Sequence, residues 1–68
     1  MKAFKFWYMM DKNSRVEYIY IIALSLKQAR KFFYMNYGAN VYDYDLNPIS
    51  VFKVNEEFNV KVGEIYYV

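Results

Sequence analysis

The sequence predicts an α+β domain: an antiparallel sheet of four or five strands with one helix packed on one face. Three observations carry this. One segment, from Leu26 to about Tyr37, has helical periodicity and a clear start signal. The segments on either side of it alternate with period two and are rich in Tyr, Phe, Ile and Val. Short polar clusters separate those segments. The expected order is β-β-α-β-β within a single domain, residues 1–68.

Residues 2–10 read as the first strand. Phe4, Phe6, Tyr8 and Met10 fall on one face, and Ala3, Lys5, Trp7 and Met9 on the other, which Lys5 marks as the wetter. Asp11, Asn13 and Ser14 make a turn, because Asp and Asn side chains bond their own backbone. Residues 15–23 return as the second strand of a hairpin. Its first half alternates around Arg15 and Glu17; its second half is apolar on both faces, as in a strand covered on both sides.

The helix follows at once. Ser25 and Gln28 form the S-x-x-Q capping box, in which hydroxyl and amide satisfy each other's backbone N–H groups. Leu26, Ala29, Phe33 and Asn36 or Tyr37 form the inner stripe, widened by Phe32. This stripe is expected to pack on Phe4, Phe6 and Ile22. Lys27, Arg30, Lys31 and Tyr34 form the outer stripe. Gly38 stops the helix, since glycine takes the left-handed conformation without steric cost.

Residues 40–46 alternate, with Tyr42, Tyr44 and Leu46 on one face and Val41, Asp43 and Asp45 on the other. Asn47-Pro48 reads as a turn that ends this strand. Residues 49–54 read as another strand and Asn55-Glu56-Glu57 as another turn. Residues 58–68 are strand-like again, broken at Gly63, with 65–68 as a terminal strand.

Composition excludes much chemistry. There is no cysteine and no histidine, hence no disulfide, no thiolate site and no Ser-His dyad. Gly38 and Gly63 are the only glycines, so a glycine-rich phosphate loop is excluded. A net charge of +2 is well short of a dedicated nucleic-acid binder. The longest apolar run, residues 18–24, is far below the roughly 20 residues of a membrane span. A cytoplasmic protein without cofactor or metal is the expectation. Asp43 and Asp45 place two carboxylates about 7 Å apart on one strand face. A cation site needs more ligands than that, and an exposed or charge-protected strand accounts for the pair as well.

More than half of the chain is Phe, Tyr, Met, Ile, Asn or Lys, and threonine is absent. Most of those types have AT-rich codons, which points to an AT-rich genome. In its small size and Tyr/Asn/Lys-rich composition the chain resembles, by overall style, the small accessory proteins of phages and mobile elements. The resemblance implies a host inhibitor or anti-defence protein that occludes a host protein. It assigns no residue a role.

The residues themselves point to binding. Nine Tyr, six Phe and one Trp exceed what one small core can hold, so some rings lie on the surface. Tyrosine is rigid and amphipathic and is favoured in recognition surfaces. Trp7, Lys27, Arg30, Lys31, Tyr34, Tyr37, Tyr42 and Tyr44 are the candidate partner-binding residues. The expected function is therefore non-enzymatic protein binding. Two alternatives stand beside it. The basic helix stripe can meet nucleic-acid phosphates, and a homodimer can bury the surplus rings.

Overall fold

The computed structural model describes residues 1–55 and 59–68. The fold is the expected α+β domain, built from β1 (Lys2–Met9), β2 (Glu17–Ala23), α1 (Leu26–Asn36), a 3-10 turn (Gly38–Asn40), β3 (Asp43–Lys53) and β4 (Ile65–Tyr67). The antiparallel sheet has the order β3-β1-β2-β4, so β3 and β4 are its edges.

Local chemistry sets the first connections. In the β1–β2 turn, the Asp11 carboxylate accepts from Asn13 N–H at 2.8 Å, and the Ser14 hydroxyl accepts from Asp11 N–H at 3.1 Å. The resulting register puts Trp7 opposite Tyr18 and Phe6 opposite Ile19. The capping box forms at Ser25, but its reciprocal bond falls one residue earlier than the sequence predicts. Gln28 N–H donates to the Ser25 hydroxyl at 3.2 Å. The Gln28 amide oxygen accepts from Leu24 N–H at 2.7 Å, one residue before the cap. Replacing Ser25 with alanine is expected to cost about 1 kcal/mol, read as a lower denaturant midpoint at unchanged slope. An unchanged midpoint would show that sheet packing alone fixes the helix start.

The core lies between α1 and the inner face of the sheet. Phe4, Phe6 and Tyr8 of β1, Ile19, Ile21 and Ala23 of β2, and Leu46 of β3 meet Ala29 and Phe33 of the helix. Leu26, Phe32, Tyr37, Val41 and Ile65 close its rim. Ala29 is fully buried, and its small side chain suits the close approach of helix and sheet.

Four expectations need correction. Ile22 is buried, but on the opposite face of the sheet; its neighbour Ile21 meets the helix. A strand that is apolar on both faces leaves its parity undetermined, and only the hairpin register fixes it. Asn47-Pro48 is not a turn between two strands. β3 runs straight through it from Asp43 to Lys53. Proline is tolerated because β3 is an edge and the irregularity is local: Lys5 faces Ser50 while Trp7 faces Asp45, so residues 46–49 oppose Phe6 alone. The third strand begins at Asp43, not at residue 40, because residues 38–40 are taken up by the 3-10 turn that follows Gly38 (φ +51°). Finally, residues 59–64 are not strand. Val62 and Gly63 (φ +95°) form a turn in which Glu64 N–H bonds the Lys61 carbonyl at 3.1 Å. Glu56, Glu57 and Phe58 lie outside the described residues.

Candidate interaction surface

The helix covers one face of the sheet and leaves the other open. Alternation places Ala3, Lys5, Trp7 and Met9 of β1 on the open face, together with Tyr18, Tyr20 and Ile22 of β2. The register adds Asp43, Asp45, Ser50 and Phe52 from β3, and Tyr66 from β4. Trp7, Tyr18, Tyr20, Phe52 and Tyr66 make this face strongly aromatic, with Tyr18, Phe52 and Tyr66 each more than 40% exposed.

A shallow groove of about 380 Å³ crosses one end of this face, lined by Ala3, Tyr20, Ile22, Phe52, Val54, Val60 and Tyr66. Ala3 forms its floor. Because that side chain is a single methyl group, Tyr20 and Phe52 meet edge to face above it, at 5.5 Å between centroids, although β1 separates their strands. Val54 and Val60 belong to the segment that leads from β3 to β4.

Charge on this face is sparse and of mixed sign. The Lys5 ammonium lies 5.0 Å from the centre of the Tyr18 ring and 5.6 Å from that of Tyr20, a cation–π arrangement that holds it against the sheet. Asp43 and Asp45 stand beside Met9 and Trp7. Their carboxylates are engaged locally: Asp43 accepts from Tyr44 N–H, and Asp45 from Asn47 N–H, both at 2.9 Å. Among the described residues no group of three or more acidic side chains could hold a metal ion. The Tyr66 hydroxyl donates to the Glu64 carboxylate, which raises the Tyr66 pKa.

The eight candidate residues do not form one surface. Trp7 stands on the open face. Lys27, Lys31 and Tyr34 are exposed on the helix, on the far side of the sheet. Arg30 lines a groove with Lys27, Lys31 and Tyr34 but is partly buried at the β3 side of the stripe. It leans toward β3, where its Nε donates to the Leu46 carbonyl at 3.1 Å and its Nη2 reaches the Asn47 side chain at 3.5 Å. That contact anchors the irregular part of β3 to the helix. Tyr37 is also held internally. Its ring packs 4.8 Å from Tyr8 and 5.0 Å from Phe33, and its hydroxyl donates to Tyr67 at 2.9 Å. Burial and that hydrogen bond push its pKa well above the usual tyrosine value; burial also raises that of Tyr8. Tyr44 continues this cluster, 5.2 Å from Phe33 and 6.0 Å from Tyr34. Tyr42 is exposed, just before β3 begins.

Comparison of the chain with protein-family models, curated proteins and solved structures finds no match. The site therefore rests on its own geometry.

Lys5, Tyr18, Tyr20, Phe52 and Tyr66 join Trp7 on the open face, although the sequence did not single them out as a group. The signal was present for β2: the Asp11–Ser14 turn fixes the hairpin register, and counting from Trp7 across it reaches Tyr18 and Tyr20. No comparable local signal leads to Phe52 or Tyr66, which arrive from the two edge strands. Among the described residues no helix is long and apolar enough to cross a membrane.

Proposed function

We propose that this protein is a non-enzymatic protein-binding module whose contact surface is the open face of the sheet. The observation that carries the reading is the composition of the open face, which gathers five aromatic rings with few charges. Trp7, Tyr18, Tyr20, Phe52 and Tyr66 are on one side, with one lysine and two aspartates. Lys27, Arg30 and Lys31 are on the other side, where they line a groove on the helix with Phe32 and Tyr34. A surface that stacks bases needs cations along the same groove to meet the phosphates. A protein partner needs rigid aromatic anchors around an apolar centre with few charges, which is the composition of this face.

The chain's phage-like style favours a host protein as the partner, bound in the host cytoplasm and occluded by this face. An occluding module needs no catalytic group, and its inhibition would be stoichiometric.

Affinity capture from host extract tests the reading with three baits: the unaltered chain, Tyr18→Ser/Tyr66→Ser, and Lys27→Glu/Lys31→Glu. The open-face variant should lose the partner that the other two retain. Short oligonucleotides at low salt should not bind. Salt-sensitive oligonucleotide binding that disappears in the lysine variant would replace this reading with nucleic-acid recognition by the helix.

A further inference from the structure

The outer edge of β3 is blocked along one half and open along the other. In the first half, Asp43 and Asp45 cap the N–H groups of Tyr44 and Asn47, and Pro48 has no N–H. The second half, residues 49–53, carries no such device. Val54 N–H bonds the Met1 carbonyl at 3.0 Å, which sets the phase of the β1–β3 ladder. Phe52 and Ser50, opposite Ala3 and Lys5, therefore point their backbone groups inward to β1. Lys53, Val51 and, next in alternation, Ile49 point theirs outward. Among the described residues nothing meets those outward N–H groups. Ile49, Val51 and Phe52 are also exposed, at 51%, 44% and 51%.

An unpaired strand edge is a template for another strand. We propose that residues 49–53 pair antiparallel with the same residues of a second copy, about a two-fold axis at Val51, joining two sheets into one. A second copy offers the matching open edge, and the pattern of outward groups sets this register. Ile49, Val51 and Lys53 are symmetric about Val51, so every outward N–H meets an outward C=O: Val51 with its counterpart, and Ile49 with Lys53. The two Lys53 side chains fall at opposite ends of the seam, each beside an isoleucine. Moving the axis to Ser50 would bring Lys53 against Asn47, whose N–H is already taken by Asp45. Moving it to Phe52 would leave Ile49 outside the seam and bring the two lysines closer. The opposite edge, β4, is only three residues long and offers less to pair with.

Sedimentation velocity on the purified chain tests this, with two variants. Val51→Pro removes an outward N–H without touching the β1 ladder. Val51→Lys keeps the backbone and places like charges at the axis. The unaltered chain should sediment with twice the monomer mass at high micromolar concentration. Both variants should sediment as monomers with unchanged circular dichroism, shifting the dimerisation midpoint at least tenfold. Amide exchange supplies a second reading: Ile49, Val51 and Lys53 should exchange at least tenfold more slowly as concentration rises, while Ser50 and Phe52 stay unchanged. A monomeric unaltered chain at these concentrations overturns the proposal. So does a dimer that survives both substitutions, or one that dissolves instead on Tyr18→Ser/Tyr66→Ser. Each outcome is read without any partner protein, so failure here leaves the open-face reading standing.

Discussion

Phe33→Ala is expected to be strongly destabilising. Phe33 is fully buried, and it joins the helix to the sheet through the rings of Tyr8, Tyr37 and Tyr44. Truncating a buried phenylalanine costs about 3–5 kcal/mol, part lost transfer energy and part residual cavity. A chain of 68 residues has a total stability on the order of 3–10 kcal/mol. No disulfide limits the unfolded state, since the chain has no cysteine. The substitution therefore removes a third or more of the margin. Thermal melts by circular dichroism should show Tm reduced by at least about 12 °C, with Phe33→Leu falling between the variant and the unaltered chain. A loss of only a few degrees would mean that the surrounding tyrosines collapse into the space.

Alkaline pH is expected to destabilise the protein as it rises through the ordinary ionisation range of tyrosine. Tyr8 and Tyr37 lie in the aromatic cluster with pKa values raised chiefly by burial. A raised pKa means that the folded form holds the proton more tightly than the unfolded form. The associated stability is then fully present below about pH 10, the unfolded tyrosine value. It is lost progressively as pH rises from there toward the folded values. Tyr66 is shifted in the same direction by its bond to Glu64, but it is exposed and adds little. Urea midpoints should stay level between about pH 8 and pH 9.5, then fall steeply toward pH 11. Tyr8→Phe/Tyr37→Phe should flatten the fall, at the cost of the Tyr37–Tyr67 hydrogen bond. The phenolate absorbance that the unaltered chain shows in excess of this variant should appear together with unfolding. An excess that appears before unfolding would show that these two rings ionise in the folded state.

How much of this could be read from the chain depends on how local the cause is. The helix start needs only Ser25 and Gln28, and its stop needs only Gly38, so both were legible. The faces of β1 were legible because Lys5 breaks the symmetry of an apolar strand. Ile22 was not, because Tyr18, Tyr20 and Ile22 look like Ile19 and Ile21 until the turn register orders them. The continuity of β3 was hidden by Pro48, which signals a turn everywhere except at an edge, and edge position is a property of the whole sheet. Arg30 shows the same limit on the helix. Its spacing matches Lys27 and Lys31, yet it lies close enough to β3 to bond the Leu46 carbonyl. The surplus of rings was plain from composition. Their gathering on one face required the strand order, which no short segment contains.

The route of the chain from β3 to β4 has a consequence for how the molecule assembles. β1, β2 and α1 are consecutive, and their contacts close short loops. β3 then pairs with β1 along nearly its whole length. β4 is different: to place Ile65 beside Ile21, the chain must pass from one edge of the sheet to the other. That pairing joins distant parts of the chain, Ile21 with Ile65, for the shortest ladder of the sheet, so its entropy is recovered last. Until it forms, the outward backbone groups of Tyr18, Tyr20 and Ile22 stay unpaired, and the nascent sheet ends on the longer edge of β2 instead of the three-residue edge of β4. The three residues of β4 thus act as a late latch. They add little to the core, but they determine how long the chain remains open to pairing with its neighbours while it folds.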